Sequence, residues 1–134
     1  MNFRKLTDND WSTLVKWWES WPEWPTPTRD FFPENGTGGF IVEKDNVPIV
    51  AGFIYLTNSK AVLLEWIVSD PEYREADRKQ ALELLINECE QVVKLGGYKY
   101  MFSIGRNKNL MSTHKKLGWN VDENPSHELV KILN

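Results

Sequence analysis

Glu65 lies inside the apolar run Ala61 to Val68. A carboxyl buried in such a strand has its pKa raised toward the range useful for a general base. The alternative is a glutamate at a strand edge, facing water. His114 titrates near neutrality by residue type and can serve as a general acid. It stands seven residues after Asn107, so on a helix the two share a face with Leu110 and lie near Leu117. Each also has a structural reading, Asn107 as a helix N-cap and His114 as a half-buried histidine. A third group is Arg74-Glu75-Ala76-Asp77-Arg78-Lys79, three basic residues against two acidic, at the start of a leucine-rich helical pattern. Unpaired N–H groups and the helix dipole favour anions at such a start, with Arg74, Arg78 and Lys79 adding charge. The same residues also read as an ordinary solvated first turn.

Aromatic residues form the other conspicuous set. Five of the seven tryptophans (Trp11, Trp17, Trp18, Trp21 and Trp24) fall within the first 24 residues. They read as core packing or as the walls of a pocket. Cys89 sits on a leucine-rich helical stripe and reads as packing rather than thiol chemistry. No metal site is expected.

These residues must be positioned by regular elements. Asn2 to Leu6 alternates as a short edge strand. Thr7 precedes Asp10 by three positions as in a capping box, and Trp11, Leu14, Val15 and Trp18 follow at helical spacing. Pro22 ends that helix, and 21–33, with four prolines, reads as an ordered loop. Strands are predicted at Phe40–Lys44, Val47–Thr57 and Lys60–Ser69, with turns at Asp45-Asn46 and Asn58-Ser59 and a bulge at Gly52. The connections are short, so this meander is antiparallel. The period then changes: Leu82, Leu85, Ile86, Cys89, Val92 and Val93 predict a helix over Arg74–Leu95, capped by Gly96. Tyr98–Ile104 is apolar and β-prone, which makes a β-α-β unit with a parallel strand pair. A helix over Asn107–Leu117 and a final strand over Glu128–Leu133 complete the chain.

At 134 residues the chain fits one domain, spanning 1–134, and 41% hydrophobic with 26% charged residues is ordinary for a globular protein. A net charge of -3 gives no basic footprint, which argues against nucleic-acid binding. A single cysteine excludes an internal disulfide and suggests a reducing compartment. Met1 to Asp10 has no apolar core, so no signal peptide is expected, and Val47–Leu56 falls far short of the roughly 20 residues a membrane helix needs. A cytoplasmic location without membrane contact is the expectation.

This order of elements resembles the GNAT N-acetyltransferase fold, an α/β (α+β mixed sheet) architecture with an antiparallel meander followed by a parallel β-α-β pair. Val68-Ser-Asp-Pro71-Glu-Tyr-Arg74 resembles the family's V-x-x-P strand end leading into R/Q-x-x-G-x-G/A, with Asp77 and Lys79 in place of the two glycines. Asn107-Lys-Asn-Leu110-Met-Ser-Thr-His114-Lys-Lys-Leu117-Gly118-Trp119 resembles N-x-x-a-x-x-x-Y-x-x-x-G-F. The resemblance implies acetyl-CoA as cofactor and acetyl transfer to an amine by direct attack. Its diphosphate would meet Arg74, Arg78 and Lys79. Its pantetheine arm would bond Asn107 and lie between Lys60–Ser69 and Tyr98–Ile104. N–H groups around Ile67 and Val68 would stabilise the oxyanion, Glu65 would act as general base, and His114 would protonate the departing thiolate. The acceptor pocket would draw on Trp21, Trp24, Phe31 and Phe32, whose rings suit an apolar or cationic amine. A small-molecule or peptide amine is the implied partner, and a homodimer is compatible with it. Two rival readings use the same residues: a non-catalytic GNAT-like binding module that has lost the diphosphate loop, and an assembly protein using exposed tryptophans.

Overall fold

The computed structural model describes residues 1–21 and 26–133. They form two compact units, Met1–Ile104 and Gly105–Asn134. The first holds a five-stranded sheet in the order β1 (Asn2–Lys5), β2 (Gly39–Lys44), β3 (Val47–Leu56), β4 (Ala61–Ser69) and β5 (Tyr100–Phe102). All pairs are antiparallel except β4 and β5, which are parallel. The mixed sheet, its meander and its β-α-β pair are thus those the sequence predicts. Asp45 and Asn46 close the β2–β3 hairpin at φ 51° and 65°, the two left-handed positions of a type I′ turn.

Strand alternation sorts the apolar residues onto two faces. Register pairs Ile41 with Ala51 and Phe53 with Glu65 on one face. There they join Leu6, Phe32, Val68 and the Leu14, Trp17 and Trp18 side chains of α1 (Trp11–Glu19) in one buried cluster. The alternate face carries α2 (Arg78–Leu95), which packs on β2 and β3 through Ala81, Leu85, Ile86, Cys89 and Val93. Each fully buried Leu, Ile or Val contributes about 1.5–3 kcal/mol. Burial, then the neighbouring Glu88 and Glu90 charges, pushes the Cys89 thiol up to about 12, so it stays an inert core residue.

Beyond one-residue shifts at element ends, four features differ from the sequence expectation. α2 begins at Arg78 rather than Arg74. Asp70 Oδ1 accepts the Glu72 N–H at 2.9 Å and Asp70 O accepts the Tyr73 N–H at 3.2 Å, so the chain turns before it coils. The strand predicted over Tyr98–Ile104 pairs only at Tyr100–Phe102. The bulge lies on β4, where Trp66 and Ile67 oppose the single Gly52, so that glycine faces the bulge instead of forming it. Glu128–Leu133 forms no strand, because among the described residues no ladder partner meets it and its apolar side chains stand in solvent.

The second unit contains α3 (Lys108–Lys116). Asn107 Oδ1 accepts the Leu110 N–H at 2.8 Å, and Gly118 at φ 93° ends the helix, with Trp119 N–H returning to His114 O at 3.0 Å. Arg106 and Glu128 form an ion pair.

Candidate functional site

The bulge on β4 organises the first unit's candidate site. Trp66 adopts φ 57°, a left-handed conformation costly for a bulky side chain. Its ring then packs edge-on against Trp18, Phe31 and Phe32 at centroid distances of 6.1, 5.7 and 5.5 Å. Phe32 in turn stacks on Trp18 at 5.0 Å and meets Phe53 at 4.6 Å. At the outer end of this cluster Phe31 is 41% exposed. Trp21 Nε1 donates to Ser69 O at the end of β4, 3.3 Å away.

One residue before the bulge, Glu65 is only 9% exposed. The β4–β5 ladder stops at Leu63 and Phe102. Beyond it, Glu65 Oε1 accepts the Ile104 N–H at 2.8 Å, so a carboxylate is held where the parallel ladder ends. Tyr55 lies on the same face, two residues along β3 from Phe53. Its hydroxyl donates to Phe31 O at 3.2 Å. Burial, then the Glu65 charge, pushes the Tyr55 phenol up to about 12, so it remains a neutral hydroxyl at physiological pH.

A second cluster surrounds the start of α2. Asp77, the N-cap residue, makes no side-chain bond to its own helix. Its carboxylate instead accepts from Lys44 Nζ at 2.7 Å and from the Tyr73 hydroxyl at 2.8 Å. Those two donors lower the Asp77 pKa, Lys44 foremost, while the same bond raises that of Lys44. Arg78 Nη2 donates to Ser69 Oγ at 2.6 Å, and Arg74 and Lys79 are exposed. The backbone donors of the first turn therefore keep clear of the Asp77 carboxylate, although an acidic group stands beside them.

The second unit holds Asn107 and His114. Asn107 caps α3, which uses its carbonyl oxygen and leaves its NH2 to donate. His114 is buried, 4.7 Å edge-on from Trp119, with Nδ1 2.9 Å from Leu110 O. A carbonyl oxygen only accepts, so Nδ1 carries the hydrogen of this contact.

Of the sequence-predicted residues, Glu65, Ile67 and Val68 lie on β4, with Ile67 beside Leu64 and Leu85 on the α2 side, Phe31 and Phe32 pack against the Trp66 ring, and Trp21 meets the Ser69 carbonyl. Phe32, 3% exposed, is core rather than wall. Trp24 lies outside the described residues. Sequence reasoning missed Tyr55, Lys44 and Tyr73. Tyr55 is recoverable from the hairpin register that places it diagonally to Glu65. Lys44 meets Asp77 across 33 residues and left no local signal. Among the described residues no cluster of metal-ligating side chains occurs, and no helix is long and apolar enough to cross a membrane.

The sequence matches no protein-family model and no curated protein. Solved structures do match in fold. TTHA1254 from Thermus thermophilus aligns with a TM-score of 0.65 at 20% identity, covering 100% of this chain and 98% of that one. An aminoglycoside acetyltransferase from an uncultured soil metagenomic sample, in complex with trehalose, aligns at 0.69 and 11% identity, covering 98% and 96%. N-acetylglutamate synthase from Neisseria gonorrhoeae, complexed with coenzyme A and N-acetyl-glutamate, aligns at 0.69 and 11% identity over 85% of this chain and 27% of that one. The chain therefore has the fold found in acetyltransferases.

Proposed function

We propose that the protein is a GNAT-family N-acetyltransferase that moves an acetyl group from acetyl-CoA to an amine by direct attack. The observation that carries this reading is the end of the parallel ladder, where the β4 bulge and the buried Glu65 carboxylate come together. Acetyl-CoA supplies the activated acetyl group. Glu65 accepts the proton of the acceptor ammonium, and N–H groups around Ile67 and Val68 face the developing oxyanion. The family resemblance assigns the pantetheine arm to Asn107, through the NH2 left by its cap, and the departing thiolate to His114.

Fit to the diphosphate rests on the start of α2. First-turn backbone donors remain, and Arg74, Arg78 and Lys79 add charge, while Lys44 draws off the Asp77 carboxylate that stands where a glycine is usual. The group fits, with an affinity below that of a glycine-loop relative. The test is the melting temperature with millimolar acetyl-CoA, in the wild type and in Asp77→Gly. At a hundredfold excess over Kd, binding adds about 2.7 kcal/mol. For a domain of this size that is about 10 °C. Both proteins are expected to shift, the variant more, and an amine then releases thiol from acetyl-CoA. A flat wild type with a shifting variant makes the chain a non-catalytic relative. No shift in either overturns the reading.

A further inference from the structure

We propose that residues 128–133 of one copy of this chain add as a strand to the open edge of β5 in a second copy, each copy giving its segment to the other. The sheet ends at β5, whose one ladder partner among the described residues is β4. An open apolar strand edge is a template for pairing with another chain. Tyr100 and Phe102 stand 63% and 62% exposed along it, and Ile104 follows at 47%. The same chain carries a strand-like segment without a ladder, in which Leu129, Val130, Ile132 and Leu133 stand in solvent. Both halves face water, and a second copy supplies the missing partner of each.

Backbone direction sets the pairing. Along a strand, successive residues turn their N–H and C=O groups to opposite edges. Tyr100 N–H bonds Lys60 O, just before β4, at 3.1 Å, and Ile104 N–H bonds Glu65 Oε1 at 2.8 Å. Both therefore face β4, and Met101 and Ser103 between them face the open edge. An antiparallel strand bonded to those two residues sets Lys131 opposite Met101 and Leu129 opposite Ser103. Phe102 then meets Val130 and Tyr100 meets Ile132 at the closer positions of the ladder, with Cα atoms about 4.5 Å apart. Both are aromatic–β-branched pairs, a kind that stabilises antiparallel ladders. A slip of two residues sets Phe102 against Glu128 or leaves Tyr100 beyond Leu133, and either way one such pair is lost.

Reciprocal exchange gives a closed, two-fold pair. Each of its two ladders takes from water parts of the Tyr100 and Phe102 rings and of four aliphatic side chains, Leu129, Val130, Ile132 and Leu133. That area falls at the lower end of the roughly 1,200–2,000 Å² of specific interfaces. The pair is accordingly weak, and dilute samples melt as monomers. Pairing also reaches the candidate site. β5 leads into Ile104, whose N–H is bonded to Glu65, so each copy's segment braces the end of the parallel ladder in the other.

Cross-linking of the concentrated full chain tests this with the double variant Phe102→Cys/Val130→Cys, oxidised and run on a denaturing, non-reducing gel. A Cα separation of about 4.5 Å lies within disulfide reach, and the buried Cys89 does not compete. A disulfide-linked dimer is the expected product, forming about tenfold faster than in Phe102→Cys/Ile132→Cys, where the register is wrong. A bond within one chain would place the segment on its own β5 and overturn the inference, as would the absence of any bond. Sedimentation velocity gives a second reading with substitutions at exposed positions that do not endanger folding. The concentrated wild type should reach a dimer and nothing larger. Phe102→Lys and Val130→Glu should each weaken the dimer about tenfold, and an equal mixture of the two should restore it, because opposite charges meet in one ladder while the other keeps its native pair. A mixture that associates no better than either variant alone, or a wild type that grows beyond the dimer, overturns the exchange.

Discussion

Asp10 concentrates four bonds in one carboxylate: two from the Arg4 guanidinium and, on Oδ2, the Thr7 N–H at 2.8 Å and the Thr7 hydroxyl at 3.2 Å. The arrangement ties the end of β1 to the start of α1, with Arg4 also reaching Glu43 on β2 at 3.2 Å. Arg4, 31% exposed at its side chain, keeps Glu43 as a partner, but the Thr7 N–H loses its acceptor, so Asp10→Ala should lose about 2 kcal/mol in urea unfolding at pH 7. Arg4, by its hydrogen bond, holds the Asp10 carboxyl below its ordinary 3.8. A depressed pKa stabilises above the unfolded value, and that stability disappears as pH falls through the folded one. The difference between wild type and variant should therefore hold from pH 7 to about 5 and shrink below about pH 4. A difference that grows on acidification would refute the pairing. The Thr7–Asp10 spacing was legible because a capping box is local. Arg4 as the partner was not, because that contact needs the strand to be in place. Glu65 shows the same division: its apolar run left burial and a water-facing edge position both open, and its bond to Ile104, 39 residues away, appears only in three dimensions.

At the scale of elements the β4 bulge is the feature with the most consequence. A non-glycine residue in the left-handed region costs roughly 1–2 kcal/mol. Trp66→Ala and Trp66→Gly should both lose the aromatic packing, about 3–5 kcal/mol. Glycine, though, relieves the backbone, so it should melt about 4 °C above alanine. In an ordinary strand the order is the reverse, so alanine melting higher would show that Trp66 is not bulged. Glycines give a second contrast. A Cβ on Gly39 would stand 2.1 Å from Gly52 O and 2.9 Å from the Phe53 Cα, obstacles in the neighbouring strand's backbone. Gly97, at φ 89°, has nothing within 4 Å of its would-be Cβ. Gly39→Ala should thus cost about 3 kcal/mol and Gly97→Ala about 1 kcal/mol, compared by chemical denaturation. The strands and helices were readable because period 2 gives way to period 3.6 near residue 78. The bulge position was not, since Gly52 signals the irregularity from the opposite strand. The α2 start was misplaced because Asp70 and Lys44 act on that loop from outside the helical pattern.

For the whole chain, composition set the broad class and patterning set the sheet, but alternation at the C-terminal end misled. Glu128–Leu133 has the alternation of a strand without a ladder to enter, and Leu129, Val130, Ile132 and Leu133 are 94, 73, 82 and 84% exposed. Their apolar surface contributes nothing to the folded state by burial. Deleting residues 126–134 should therefore move the melting temperature by no more than about 2 °C, the range of ordinary surface changes. The deletion removes one acidic and one basic residue, Glu128 and Lys131, so the net charge stays at -3. It also breaks the Arg106–Glu128 pair, which at 31% and 38% side-chain exposure is a weak contributor. Self-association should respond in the opposite way to stability. Four large apolar side chains within five residues form a patch that a charge of -3 only partly counteracts. Sedimentation velocity over a tenfold concentration range should show the full chain associating and the shortened chain remaining at a constant coefficient. Because charge is matched, that change would report apolar surface alone. A drop of more than about 5 °C on deletion would instead show that these residues are bound in the folded protein.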